Sequence, residues 1–113
     1  MPFNGQELKT MNGTMLAQKV IETYHTNDIY LLVERAGVRV IYDRWHPATY
    51  GEFDRKKKTI SININAPITT TEILVHELGH YFAQEEDPHL EKDLHEKVAK
   101  EFALAIISQK PFP

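Results

Sequence analysis

Residues 69–83, TTTEILVHELGHYFA, constrain the fold of this chain more than any other stretch. Thr69 and Glu72 have the S/T-x-x-E spacing of a capping box, in which each residue's side chain satisfies an amide of the other, so a helix is predicted to open there. Ile73, Leu74, Leu78, Tyr81 and Phe82 give that helix apolar surface on more than one side, which requires it to be largely buried. The same turns nevertheless carry His76, Glu77 and His80. Burying such groups without partners is costly. Gly79 adds roughly 1 kcal/mol against Ala in a helix interior, a cost that close approach of another backbone would offset.

His76 and His80 are one helical turn apart, so both imidazoles project from one face and can grip one ion. Glu77 lies about 100° further round the axis, able to reach a water on that ion without having to bind it. This is the H-E-x-x-H arrangement: two neutral nitrogen ligands for Zn2+ and a carboxylate general base. The plainer reading, two histidines that satisfy polar neighbours, leaves the burial of three polar groups unexplained.

A third ligand should come from the next helix. The connection at Gln84–Asp87 reads as short, so the two helices are predicted to pack antiparallel. Reflecting His76 and His80 about it lands near Asp93–Lys97. His95 is the best-placed ligand there, Glu91 shares its helix face and ranks second, and Glu96 is third because it points away from the Leu94/Val98 stripe.

The remaining chain predicts a single α+β domain spanning residues 1–113, with a loosely held lead-in through Gly13. Leu16, Ala17, Val20, Ile21 and Tyr24 recur at helical spacing from Thr14 onward. Asn27 would cap a second helix carrying Ile29, Leu32, Val33 and Ala36, and Gly37 suits its C′ position. Alternation from Val38 to Asp43 predicts a strand, followed by a loop over Arg44–Gly51. Glu52–Arg55 and Thr59–Asn65 read as a hairpin around Lys56, Lys57 and Lys58. In TISININ, Ile60, Ile62 and Ile64 take one face and Ser61, Asn63 and Asn65 the other, which suggests an edge strand. Asp87-Pro88 reads as a helix start, with Leu90, Leu94, Val98, Phe102 and Ala105 as its core stripe to about Ser108. The expected architecture is therefore two N-terminal helices, a small, mostly antiparallel sheet of about three strands, the H-E-x-x-H helix and a C-terminal helix.

Composition excludes several function classes. With a net charge of −3 there is no basic excess to attract nucleic acid. The absence of cysteine rules out disulfides and thiolate metal sites and fits a cytoplasmic location. No apolar run approaches the roughly 18 residues needed to span a bilayer, and the N-terminus lacks a secretion-signal pattern.

TEILVHELGHYFA, the preceding GEFDRKKKTISININ and the following HEKVAKEFALAI together resemble the ImmA/IrrE family of zinc metallopeptidases, from about Met15 onward. The resemblance implies a compact α+β, zincin-like fold, His76 and His80 as zinc ligands, Glu77 as catalytic base, a protein substrate and, often, cleavage of a helix-turn-helix repressor. In that family a zinc-binding Glu usually precedes the Phe of an F-A pair by four residues. Phe102-Ala103 matches the pair, but the Glu position holds Val98. His95 lies one turn earlier on that helical face and would substitute; Glu96 would require a shifted register.

His46, Tyr50 and Tyr81 are the available donors to the oxyanion of a tetrahedral intermediate. Trp45 equally suits an anchor that holds its loop on the core. An exposed TISININ edge would let a substrate add as an extended strand. Two other readings compete with the endopeptidase: a non-catalytic zinc-binding regulatory module, which Val98 favours, and a closed structural site with four protein ligands.

Overall fold

Asn12 accepts the Met15 N–H on its side chain at 2.8 Å, the N-cap of helix α1 (Gly13–Tyr24). The computed structural model describes residues 12–108, so residues 1–11 of the expected lead-in lie outside the described part. Gly13 does not belong to that lead-in. It is the first residue of α1 and is buried. A Cβ there would stand 2.2 Å from both Phe102 N and Val98 O, so only glycine lets α1 begin directly on the C-terminal helix.

Helix α2 (Ile29–Ala36) is capped by Asp28 rather than by Asn27. The Asp28 carboxylate accepts the N–H groups of Tyr30 and Leu31 at 2.9 and 3.2 Å, which makes Ile29 the first helical residue. Ile29, Leu32 and Ala36 are buried, and Gly37, at φ 72°, ends the helix as expected. Three strands follow: β1 (Arg39–Asp43), β2 (Gly51–Asp54) and β3 (Thr59–Asn63). β2 and β3 form the expected hairpin around the lysine turn, and β1 joins β3 in parallel, so one of the two pairings is antiparallel and the other parallel.

The strand order is β1-β3-β2, which puts TISININ in the centre and not at an edge. One-sided alternation reports which face is covered; it says nothing about whether both backbone edges are paired, and here they are. Ile60 and Ile62 are fully buried as expected. Ile64 lies beyond the strand and is exposed. Asn63, expected on the open face, is fully buried. Its amide Nδ2 donates to the carbonyls of Trp45, His46 and Thr49 at 3.1, 3.2 and 2.9 Å, and its Oδ1 accepts the N–H of Asn65 and of Trp45. A loop with no regular structure is thus tied to the central strand by one side chain.

The Thr69 cap forms as predicted at the head of helix α3 (Thr70–Glu86), but the Glu72 carboxylate meets the Thr69 hydroxyl and not its amide. The Glu72 N–H donates to Thr69 Oγ1 at 3.1 Å, and that hydroxyl lies 3.0 Å from Glu72 Oε1. Asp87-Pro88 does not open the next helix. The Asp87 N–H completes α3 by donating to Ala83 O, and its carboxylate accepts the His89 N–H in a tight turn, so helix α4 begins only at Lys92 and runs to Ser108. The two helices pack antiparallel. His80 meets His95 at one end, while Ile73 lines a cleft with Leu104 and Ile107 at the other. Val98, Phe102 and Ala105 are buried between α4 and the rest of the core, with Leu90 and Leu94 partly so. Among the described residues no helix is long and apolar enough to cross a membrane.

Candidate metal centre

Helix periodicity brings His76 and His80 together as expected, with their Nε2 atoms 3.1 Å apart. The third group facing them is Glu96. Its Oε1 lies 3.0 Å from His76 Nε2 and its Oε2 3.0 Å from His80 Nε2. Two donors each about 2.0–2.1 Å from a tetrahedral ion sit roughly 3.3 Å apart, so this triangle is close to the size a small divalent cation needs. Two imidazoles and a carboxylate also form the three-ligand donor set that leaves one position open. Among the described residues, His76, His80 and Glu96 form a cluster able to hold a metal ion.

The close pass of α3 and α4 makes this triangle possible. A Cβ on Gly79 would meet Ala99 Cα and Ala99 O, each at 2.9 Å, so glycine beside His80 lets α4 come near enough to deliver Glu96. The other expected groups sit elsewhere. Glu91 precedes α4, is exposed, and contributes its carbonyl to the His95 N–H. Val98, at the family's usual Glu position, is fully buried in the core. His95 reaches His80 from the side away from the cluster, with 2.6 Å between their Nδ1 atoms. Glu96 ranks low from sequence because it points away from the Leu94/Val98 stripe of α4. His76 and His80, however, emerge at the border of the buried surface of α3, so their partner on α4 must also stand at a border.

Glu77 lies beside the triangle and is only 8% exposed. Burial raises its pKa from 4.5 to about 7, helped by the nearby carboxylates of Glu96 and Glu52. A carboxyl poised there can take a proton and give it back near neutral pH. Gly51 of β2 packs on it, since a Cβ there would be 2.9 Å from Glu77 Cγ. Burial, followed by the neighbouring His76, depresses the His80 pKa to about 4 against the opposing pull of Glu96, so its imidazole is neutral, as a ligand must be. Burial also lowers the His95 pKa.

Two clefts meet at His76 and Glu77. One, of ≈ 500 Å³, is lined by Gly51, Glu52, Phe53, His80 and Glu96 as well. The other, of ≈ 460 Å³, is mainly apolar and adds Tyr50, Ile68, Ile73, Ala103, Leu104 and Ile107. A larger hollow of ≈ 790 Å³ over Arg39, Ile41, Arg55 and Lys57 contains none of the cluster's residues.

Of the three expected oxyanion donors, Tyr50 lines the apolar cleft. Tyr81 is buried in a different region, against Phe82 and beside Tyr24 and Lys58. His46 occupies the exposed loop, where its Nδ1 accepts the Ala48 N–H at 3.2 Å. Sequence reasoning passed over Phe53, whose ring lies parallel to those of His80 and His95 at 5.9 and 6.2 Å. Its signal was the aromatic residue of the GEFD segment, which reads locally as an ordinary strand residue.

Searches of curated proteins and of solved structures return no match. The model of a peptidase family, described as the IrrE N-terminal-like domain, matches residues 33–108, more than half of the chain and all of the site. By that match, the chain belongs to the IrrE N-terminal-like family of peptidases.

Proposed function

We propose that this chain is a zinc-dependent endopeptidase in which His76, His80 and Glu96 hold the ion and Glu77 is the general base. The observation that carries this reading is the 3.0–3.1 Å triangle of His76 Nε2, His80 Nε2 and the Glu96 carboxylate beside a nearly buried Glu77. When bound, the ion supplies Lewis acidity toward a water and the scissile carbonyl. Glu77 accepts a proton from the attacking water as its oxygen bonds to the carbonyl carbon, then returns it to the amine nitrogen as the C–N bond breaks. The Tyr50 hydroxyl, at the cleft wall, donates to the carbonyl oxygen as charge develops on it.

Substrate alignment falls to β2 instead of TISININ, because β2 is the outer strand that borders the metal cleft. An extended segment that pairs with its free edge runs past His76 and Glu77, and the apolar cleft takes an adjacent apolar side chain. The substrate is a protein partner, in keeping with the peptidase family, and a helix-turn-helix repressor in the cytoplasm is the specific candidate. Val98 favoured a non-catalytic module; Glu96, two residues earlier, supplies the carboxylate that Val98 lacks.

Zinc content and peptide cleavage test this together. The purified chain should carry one zinc, His76→Ala and Glu96→Ala should lose it, and Glu77→Gln should keep it while failing to cleave quenched fluorescent peptides or the candidate repressor. Stoichiometric zinc in Glu96→Ala, or cleavage by Glu77→Gln, would refute the assignment.

A further inference from the structure

The His80–His95 contact has a geometry that packing alone does not require. Their ring centres lie 4.8 Å apart and their Nδ1 atoms 2.6 Å, with planes inclined by 16°. The difference between the two distances is the sum of two ring radii, so the imidazoles meet edge to edge in nearly one plane. That is the arrangement of an N–H···N hydrogen bond. Phe53 lies parallel to both rings, inclined by 7° and 13°, and forms a common floor beneath them.

Only one proton arrangement lets this bond coexist with His80 Nε2 as a ligand. A neutral imidazole carries one N–H. If Nε2 is to present a lone pair, the proton must sit on Nδ1, and His95 Nδ1 must accept it. The His95 proton is then on Nε2, which is buried and has no hydrogen-bond partner among the described residues. An unsatisfied buried donor is disfavoured, and the bond to His80 and the Phe53 floor hold the ring there regardless.

We propose that His95 is a positioning residue: its Nδ1 accepts the His80 Nδ1–H, which fixes the tautomer and orientation that turn His80 Nε2 toward Glu96 and His76. This rests on the metal-centre reading above and gives His95 a role outside the ligand set. Such outer partners typically change metal affinity by ~10–100-fold.

The experiment uses the full chain. Zinc affinity is measured by chelator competition for the native sequence, His95→Asn, His95→Phe and Glu96→Ala. In parallel, 15N spectra of histidine-labelled, zinc-loaded native protein report whether His80 Nδ1 or His95 Nδ1 carries the shared proton. Asn offers an acceptor near the native Nδ1, and Phe keeps a flat ring on Phe53 without one. The expected results are a proton on His80 Nδ1, a ~10–100-fold weaker site in His95→Phe with unchanged stoichiometry, and substantial recovery in His95→Asn. A proton on His95 Nδ1, or native affinity in His95→Phe, overturns the proposal. So does complete loss of zinc in both His95 variants while Glu96→Ala retains it, since His95 would then be a ligand. If His95→Phe does not fold, the native tautomer and His95→Asn still decide. A native chain that binds no zinc would sink the metal-centre reading and this proposal with it, an outcome distinct from zinc bound with the proton on His95 Nδ1.

Discussion

Gly79→Ala sets two well-calibrated effects against each other. Alanine relieves the helix-interior penalty of glycine, a gain of about 1 kcal/mol for an unobstructed site. Here the new methyl group would stand 2.9 Å from Ala99 Cα and Ala99 O and 3.2 Å from Phe102 Cδ1. Carbon contacts prefer about 3.5–4.0 Å, so α4 must withdraw by on the order of half an ångström to one ångström. The atoms met are mainly backbone and cannot rotate aside. Overfilling of this kind costs about 1–3 kcal/mol, so the net expectation is destabilisation by about 1 kcal/mol. Denaturant titration of metal-free protein should show it, with a melting point lower by roughly 4–8 °C. The same withdrawal draws Glu96 away from the histidine nitrogens, so zinc affinity should fall as well. A melting point raised by Gly79→Ala, with zinc affinity unchanged, would refute the claim that close contact of the two helices shapes the site.

The raised pKa of Glu77 predicts a pH-dependent stability difference. In metal-free protein the folded state holds the Glu77 proton up to about 7 against 4.5 for the free group, so stability present at low pH is lost as pH rises through 7. Glu77→Gln should therefore gain on the native chain between pH ~5 and ~8, by on the order of 3 kcal/mol in denaturation midpoints; a constant difference would count against the burial argument. Asn63→Ala removes the donors for the carbonyls of Trp45, His46 and Thr49 and should destabilise by about 3 kcal/mol. A melt within about 2 °C of the native chain would show that the loop holds itself.

Short-range signals are legible because their physics is local. The Thr69 cap, the Gly37 terminus and the spacing of His76 and His80 each depend on a few neighbouring residues. Where sequence reading failed, one local signal admitted two outcomes. Asp87 looked like a helix N-cap because its carboxylate accepts a nearby N–H, and it does, but to close a turn one residue past α3. That turn delays α4, and with it the register that decides which residue faces His76. TISININ announced a covered face but could not announce two paired edges. Asn63 looked like a surface polar residue because the carbonyls it serves lie 14 to 18 positions away. The helix of His76 and His80 is legible almost in full; the carboxylate that faces it depends on how two helices meet.

The Asn63 amide also bears on how the cleft wall moves. Loops without regular structure usually open first in a small domain, ahead of the sheet they adjoin. Residues 44–50 cannot do so cheaply, because releasing them means withdrawing a fully buried amide from the middle of the protein. Amide protons of this segment that are bonded, such as the Trp45 N–H, should therefore exchange with solvent at rates close to those of the central strand. The Tyr50 side of the cleft is then a fixed jaw, and any adjustment to a bound chain falls to the opposite, α4 side.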